Sequence, residues 1–424
     1  MQPQHCGFLH NITAIVLAGG QGTRLFPLTL TRCKPAVAFG GKYRLIDVPI
    51  SNALNSGIRH IAVISQYFGA HLNQHIYATY RLDSFQPGEF QLICPEETPT
   101  RKAWFKGTAD AVRQNLDSLL ATPVEFFLIL SGDQLYNTDL RPMLSFAREK
   151  NADLVVASLP VQEAEARRMG LLRIDDNQQI IDFYEKPTDP ATLAEFQLPP
   201  HYKNNTSSVP QYLGSMGIYV FKRSALVSIL KEEGDDFGRH IIPLQVKRGK
   251  SFGFVFDGYW EDIGTIASYY NANLALTECK HCLDICNEKQ PIYAQSYHLP
   301  SAHVIGTKVI QSIIGQGARI EAEEITHSVI GIRAKIGHGT VIRDSIVLGK
   351  RDPTQVAGKP GLTSSIGKSC RIEKAIIDED THIGNHVTLL NKNQLQNYDG
   401  DGLFIRDGII IVASGTSLPD GFTL

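Results

Sequence analysis

A glycine-rich turn near the start of the chain carries residue types that are suited to binding phosphate. Residues 18–25 read AGGQGTRL and follow the apolar run Ile12–Leu17, which predicts a buried strand. Glycine leaves backbone amides uncovered, so such a turn can approach a polyphosphate closely. Arg24 lies at the edge of the turn, where its guanidinium can bind phosphate oxygens through two parallel hydrogen bonds. The pattern favours a polyphosphate site, although glycine is also common in ordinary strand-to-helix turns.

The spacing of this turn excludes two widespread nucleotide-binding motifs. A P-loop requires a lysine directly after its second glycine, and no lysine follows a glycine of this turn. The dinucleotide fingerprint G-x-G-x-x-G requires a third glycine, but Leu25 stands at that position. The turn therefore belongs to neither class.

Two aspartates that are distant in the sequence could share one metal ion. Asp133 follows the apolar run Phe126–Leu130 after a Ser-Gly pair, and Asp262 lies within Tyr259–Thr265. A carboxylate at the end of a strand is well placed to hold Mg²⁺ against phosphate oxygens. The alternatives are a turn-forming role for Asp133 and a helix-capping role for Asp262.

Two lysines stand in contexts that favour phosphate binding. Lys34 follows Arg24 by ten residues, close enough to point back at the same phosphates. Lys186 follows Glu185 at the end of the strand-like run Ile180–Tyr184. In such a pair the carboxylate can accept protons of sugar hydroxyls while the ammonium neutralises phosphate. The alternative for the Glu–Lys pair is an ordinary solvated surface pair.

The segment Trp104–Val112 opens a helix with small residues at its start. The free amides around Gly107 and Thr108 could receive a base or a ribose against the backbone. The alternative is that Thr108 simply caps the helix.

Composition describes an ordinary globular protein. The chain has 424 residues, 43% of them hydrophobic and 20% charged, which suffices for two or three domains with a large core. A net charge of −2 argues against nucleic acid as a partner. No apolar stretch approaches the ~20 residues that span a bilayer, so we expect no membrane partner. Residues 1–10 lack the pattern of a secretory signal, and we expect a cytoplasmic protein.

Seven cysteines, scattered over the chain, indicate reduced thiols. Three of them, Cys279, Cys282 and Cys286, form one cluster that could bind zinc or an iron–sulfur group. No matching second knuckle is evident, so free thiols in a segment that ends a helix are the favoured interpretation. Cys6 could cross-link subunits under oxidation, but the sequence does not require it.

Strand-like and helical runs alternate over the first two-thirds of the chain. This alternation predicts an α/β domain with a mostly parallel, doubly wound sheet and helices on both faces. Ligands of such sheets bind beyond the carboxyl ends of the strands. The predicted strands are Ile12–Leu17, Ile61–Ser65, Phe126–Leu130, Leu154–Leu159 and Gly217–Phe221.

The last third carries an aliphatic repeat of six residues, which predicts a parallel β-helix. The repeat includes Ile330, Ile336, Ile342 and Leu348, and later Ile377, Ile383 and Leu389, often with glycine following. One inward aliphatic side chain per face of a three-sided coil explains this period, and residues 350–365 should loop out. We therefore predict an α/β domain over residues 1–285, a linker over 286–300 and a β-helix over 301–424; the resemblance described next implies that the first of these is a nucleotidyltransferase domain.

Taken together, the motifs resemble those of the ADP-glucose pyrophosphorylases (glucose-1-phosphate adenylyltransferases) of bacteria and plants. The shared motifs are the glycine turn, Lys34-Pro35-Ala36-Val37, residues 51–58, residues 107–112, Gly132-Asp133, Glu185-Lys186-Pro187, residues 215–221 and residues 260–265. The resemblance implies a left-handed β-helix after the catalytic domain, and the Mg²⁺-dependent conversion of ATP and α-D-glucose 1-phosphate into ADP-glucose and diphosphate. This reaction is the first committed step of glycogen or starch synthesis.

The resemblance also implies roles for individual residues. For ATP it implies Leu17, Ala18, Gly19, Gly20, Gly22, Thr23, Arg24, Gln66, Gly107 and Thr108. For glucose 1-phosphate it implies Phe105, Gly170, Glu185, Lys186, Ser215 and Trp260. It implies that Asp133 and Asp262 coordinate Mg²⁺, and that Arg24, Lys34 and Lys186 neutralise the reacting phosphates.

The resemblance further implies an allosteric homotetramer, or another dimer of dimers. Effector-binding lysines of the family are replaced here by Thr31, Thr388 and Ser414, so the identity of the effectors stays open. Phe105 stands where enteric members carry tyrosine.

Three rival functions remain at this point. One is a sugar-1-phosphate nucleotidylyltransferase that uses UTP, dTTP or GTP, and another is a non-catalytic regulatory subunit. The third is a hexapeptide acyltransferase, which would need one of His327, His338, His382 or His386 as catalytic histidine and would leave the N-terminal domain unexplained.

Overall fold

The structure is a computed structural model that describes residues 9–80, 88–96, 104–199, 211–278, 282–350 and 365–424. Within these residues the N-terminal domain has thirteen strands: β1 Ile12–Ala18, β2 Ala38–Phe39, β3 Tyr43–Arg44, β4 His60–Ser65, β5 Glu89–Ile93, β6 Phe126–Ser131, β7 Gln134–Tyr136, β8 Leu154–Gln162, β9 Gly170–Ile174, β10 Ile180–Glu185, β11 Gln211–Lys222, β12 Ser251–Val255 and β13 Trp260–Asp262. Its helices are α1 Asp47–Asn55, α2 Gly69–Thr79, α3 Thr108–Gln114, α4 Leu116–Leu120, α5 Arg141–Glu149, α6 Glu163–Ala166, α7 Pro190–Glu195, α8 Arg223–Ile229, α9 Ile242–Arg248 and α10 Ile266–Glu278.

The central sheet confirms the predicted α/β class. Its strand order is β10-β9-β11-β6-β1-β4-β5, and β8 joins β11 to β12. The strands β6, β1, β4 and β5 are parallel to one another, whereas the long strand β11 is antiparallel to β6, β8 and β9. Along β1, Val16 is buried in one core and Ile15 in the other, so helices cover both faces.

The C-terminal domain is a three-sided parallel coil. Its strands are β14 His303–Val304, β15 Lys308–Ile310, β16 Ile313–Ile314, β17 Arg319–Ile320, β18 Glu324–Thr326, β19 Val329–Ile330, β20 Lys335–Ile336, β21 Val341–Arg343, β22 Ile346–Val347, β23 Ser365–Ile366, β24 Arg371–Glu373, β25 Ala375–Ile377, β26 His382–Ile383, β27 Thr388–Leu389, β28 Asn397–Asp399, β29 Leu403–Arg406, β30 Ile409–Val412 and β31 Ser417–Leu418. Every third strand pairs in parallel as far as β27, and in the last coil β25 pairs with β30 and β26 with β31. An antiparallel hairpin of β28 and β29 is added to one face. The loop predicted at residues 350–365 lies almost entirely outside the described residues.

The repeat differs from the predicted spacing at one position. Ile330 pairs in register with Val347 and not with Leu348, because one face of the coil advances five residues from Ile342 instead of six. Val347 is buried inside the coil, whereas Leu348 is buried in the core shared with the N-terminal domain. The strict six-residue assignment of Leu348 to the coil interior was therefore wrong.

One face of the coil packs on the N-terminal domain. Its outward residues Val329, Ile346, Ile376 and Ile411 are in register and are buried in the same core as Tyr269 and Tyr270 of α10. An outward column of aliphatic residues is unusual in a solvated strand and is explained by this contact.

A buried ion-pair cluster also joins the domains. In Arg32 of the N-terminal domain, Nη2 lies 3.0 Å from Oδ1 of Asp378 and Nη1 lies 2.7 Å from Oε2 of Glu379. Asp378 and Glu379 are both at a corner of the coil. Arg44 lies 3.1 Å from Glu379. Because each charge has an oppositely charged partner, the cluster can be buried.

Candidate active site

A cleft of 1120 Å³ opens at the carboxyl ends of the parallel strands β1, β4 and β6. This is the edge of the sheet at which the sequence analysis predicted that ligands bind. Most of the residues that were predicted to bind substrates line this cleft: Leu17, Gly19, Gly20, Arg24, Gln66, Phe105, Gly107, Thr108, Asp133, Gly170, Glu185, Lys186, Ser215, Trp260 and Asp262. Their individual roles stay predictions.

Four predicted residues do not line the cleft itself. Ala18 is buried at the end of β1, and Thr23 lines a neighbouring cavity of 620 Å³ together with Arg24. Gly22 is part of the glycine turn, and Lys34 lies directly against Gly22.

Gly22 is the glycine of the turn that no other residue type can easily replace. Its φ is 65°, in the left-handed region, and a Cβ atom there would lie 2.8 Å from Cβ of Lys34. Thr29 Oγ1 donates a hydrogen bond of 3.0 Å to the Gly22 carbonyl oxygen. The missing side chain therefore lets the turn lie directly on Lys34.

Lys34 brings the two predicted metal-binding aspartates together. Its Nζ lies 2.6 Å from Oδ2 of Asp133 and 3.8 Å from Oδ1 of Asp262. The two aspartates reach this point because β7 and β13 form an antiparallel ribbon in which Gln134 pairs with Asp262. Ser131 donates a further hydrogen bond to Asp133.

The two carboxylates differ in their electrostatic surroundings. Burial raises the pKa of Asp133, but the Lys34 ammonium and the Ser131 hydroxyl outweigh it and hold that pKa below its ordinary value. Burial and the charge of Asp133 raise the pKa of Asp262, and the surrounding cations only partly offset this. The site therefore concentrates negative charge that a further cation would stabilise.

This pair of carboxylates fits Mg²⁺. Mg²⁺ prefers hard oxygen ligands and is commonly bound by one or two carboxylates, with substrate phosphates and water completing its shell. Among the residues that the structure describes, no group of three or more His, Cys, Asp or Glu side chains forms a complete metal site. A site completed by phosphate oxygens agrees with that finding.

The part of the cleft where glucose 1-phosphate was predicted to bind is built around Glu185. Its carboxylate fits between two glycines, because a Cβ atom at Gly170 or Gly238 would lie 2.6 Å from Oε2 of Glu185. Burial raises the pKa of Glu185, and Lys186, whose Nζ lies 3.3 Å from Oε1 of Glu185, partly offsets that rise. Lys186 itself has a φ of 51° and remains half-exposed.

Several cleft residues that were predicted to bind substrates already contact other residues of the chain. Oε1 of Gln66 accepts a hydrogen bond of 2.7 Å from the Phe105 amide. The first turn of α3 is less open than the sequence suggested, because Ala109 and Asp110 donate their amides to the carbonyl oxygen of Asp235. Gly107 lies so close to this carbonyl that a Cβ atom would be 2.3 Å from its oxygen.

Several cleft residues were not identified from the sequence. Arg168 lines the cleft, and its positive charge partly offsets the rise in the pKa of Glu261. Its position two residues before Gly170 was the one sequence feature that could have identified it as a cleft residue. Tyr67 also lines the cleft and stacks on the exposed Trp104 with ring centroids 5.3 Å apart. Gln134 lines the cleft beside Asp133, and no sequence pattern singled it out.

The cysteine cluster lies only partly within the described residues. Cys282 and Cys286 form no disulfide within the described ranges, whereas Cys279 and Cys6 lie outside them. Its metal-binding alternative therefore stays untested.

Each of the two domains matches the model of a known protein family. A family model described as "Nucleotidyl transferase" matches residues 13–279. A second model, described as "GLGC left-handed parallel beta-helix domain", matches residues 297–423 and confirms the expected left-handed β-helix. The residue limits of the two domains and the linker stay predictions. Within the described residues, every helix is too short or too polar to cross a membrane.

Proposed function

Because this chain belongs to the nucleotidyl transferase family, with the domain pair characteristic of the ADP-glucose pyrophosphorylases, we propose that it transfers the adenylyl group of ATP to α-D-glucose 1-phosphate. The products are ADP-glucose and diphosphate, and the reaction requires Mg²⁺. The enzyme acts as a tetramer in the cytoplasm, and its reaction is the first committed step of glycogen or starch synthesis.

The observation that carries this proposal is the contact of Lys34 with Asp133 and Asp262, the two aspartates that line the cleft. These residues come from three distant segments, and the glycine turn lies directly against Lys34. The arrangement suits a reaction between two anions, in which the main obstacle is their mutual repulsion.

The sugar phosphate needs no general base, because its attacking oxygen is already ionised. Arg24 at the glycine turn and Lys186 beside Glu185 line the same cleft and would neutralise the triphosphate and the sugar phosphate respectively. Asp133 and Asp262 would hold Mg²⁺, whose positive charge would offset the charge that builds up on the phosphate oxygens during transfer. Positioning and charge neutralisation then account for catalysis of an in-line attack at the α-phosphorus.

Glu185 orients the sugar. Its carboxylate is buried against Gly170 and Gly238, and it can accept hydrogen bonds from hydroxyl groups. The adjacent Lys186 ammonium holds the phosphate of the same molecule.

The proposal is tested by diphosphate release from purified protein with Mg²⁺, glucose 1-phosphate and each nucleoside triphosphate in turn. We expect ATP to be used far better than UTP, dTTP or GTP. Preference for another triphosphate would support the rival nucleotidylyltransferase function. The absence of diphosphate with every triphosphate, with and without candidate effectors, would contradict catalysis and support a regulatory subunit.

A further inference from the structure

Gln134 carries an unsatisfied polar atom in the active-site cleft. It begins β7 directly after Asp133, and only 7% of the residue is exposed. Its Oε1 is buried and has no hydrogen-bond partner among the residues that the structure describes. Buried polar side-chain atoms nearly always have a partner, so this oxygen indicates a ligand that supplies one.

The position of Gln134 indicates which part of the substrate lies next to it. Gln134 pairs with Asp262 in the ribbon of β7 and β13. A Cβ atom at Gly217 would lie 3.1 Å from its Nε2, so the amide packs on the backbone of β11. Gly217 also donates its amide to Oγ of Ser215. Gln134 therefore lies between the paired aspartates and the sugar-phosphate end of the cleft.

The chemistry of Oε1 of Gln134 limits which chemical group of the substrate can bind it. An amide oxygen accepts hydrogen bonds, and an ionised phosphate has no proton to donate to it. A sugar hydroxyl both donates and accepts, so it can pair with either end of an amide. Trp260 lines the same cleft, and its indole N–H is also buried without a partner in the described chain. An acceptor and a donor on one ribbon suit the hydroxyl groups of a hexose.

We propose that Gln134 binds a hydroxyl group of the hexose and thereby contributes to the choice of sugar phosphate. This inference rests on the proposed function, because it assumes a hexose 1-phosphate in the cleft. Gln134 contacts the substrate and is not required for charge neutralisation. Its loss should therefore weaken use of the sugar phosphate and leave binding of the nucleotide nearly unchanged.

The test compares Gln134→Met with the wild-type protein on glucose 1-phosphate and on its 2-, 3-, 4- and 6-deoxy analogues. We expect kcat/KM for glucose 1-phosphate to fall about ten- to a hundredfold, while KM for ATP changes little. For one deoxy analogue, which lacks the bound hydroxyl, the wild type should already be slow and the substitution should add almost nothing. Gln134→Asn, which keeps a shorter amide, should retain more of the discrimination.

Tyr136→Phe is the matched control. Tyr136 lies on the same ribbon, and its hydroxyl is also buried without a partner in the described structure, but the residue does not line the cleft. Its removal should leave the deoxy-sugar profile unchanged. An equal loss on all five sugars with Gln134→Met would overturn the inference and leave the proposed function intact. A wild-type protein that converts none of them would overturn both.

Discussion

Arg32 and Glu379 form a buried ion pair although they are 347 positions apart in the chain. Their side chains are 2% and 6% exposed, and Arg44 contacts the other oxygen of the same carboxylate. Arg32 stands two residues before Lys34, which contacts both aspartates of the cleft. The β-helix therefore holds the segment that places Lys34 in the active site.

Glu379→Gln should destabilise the protein by roughly 3 kcal/mol, because it leaves buried cationic charge incompletely paired. The measurement is the shift in the thermal or urea unfolding midpoint. Glu321→Gln is the control, since Glu321 pairs with Arg319 on the exposed surface of the same domain and such pairs contribute about 0–1 kcal/mol. Equal shifts for the two variants would contradict a structural role for the buried pair.

Gly22→Ala should destabilise the glycine turn by about 1–3 kcal/mol, because alanine at a φ of 65° is strained and its Cβ would meet that of Lys34. Gly20→Ala provides the comparison, since a Cβ atom there would have no neighbour within 4 Å. Differential scanning calorimetry of both variants measures the difference. If Gly20→Ala unfolds as readily as Gly22→Ala, the steric explanation is wrong.

Asp133→Ala should reduce kcat by roughly a hundredfold or more, because the site loses a carboxylate that would hold Mg²⁺ near the reacting phosphates. Steady-state kinetics at saturating Mg²⁺ measure the loss, and circular dichroism verifies folding. Asp139→Ala is the control, since Asp139 pairs with Arg141 outside the cleft. Normal turnover by Asp133→Ala would remove Asp133 from the metal site.

Lys186→Ala should mainly raise KM for glucose 1-phosphate, because the half-exposed ammonium next to Glu185 would no longer hold the sugar phosphate. KM for ATP should change little. Lys222→Ala, which removes a lysine that binds Asn151 away from the cleft, should change neither constant. An unchanged KM for the sugar phosphate in Lys186→Ala would refute this role.

Local patterns predicted the scaffold well. From the residues alone, Asp133 and Asp262 could share one metal ion, but only the resemblance implied that they do; the ribbon of β7 and β13 brings them together. The glycine turn was recognisable because few residues other than glycine adopt the conformation of Gly22.

Features that depend on contacts between distant segments were not predictable. The burial of Leu348 between the domains requires knowing that one face of the coil advances by five residues. Asp378 follows Ile377 at a position where the repeat often has glycine, but nothing in the sequence identified Arg32 as its partner. Gln134 became visible only when its unpaired amide oxygen was located in the cleft.

The attack at the α-phosphorus is tested most directly by a single turnover with glucose 1-phosphate, Mg²⁺ and ATP labelled at either the α- or the γ-phosphorus. We expect the α-label to appear in ADP-glucose and the γ-label in diphosphate, with one of each product per ATP consumed. Appearance of the γ-label on the sugar phosphate, or of the α-label in free ADP, would show that a different phosphorus is attacked and would contradict the proposed adenylyl transfer.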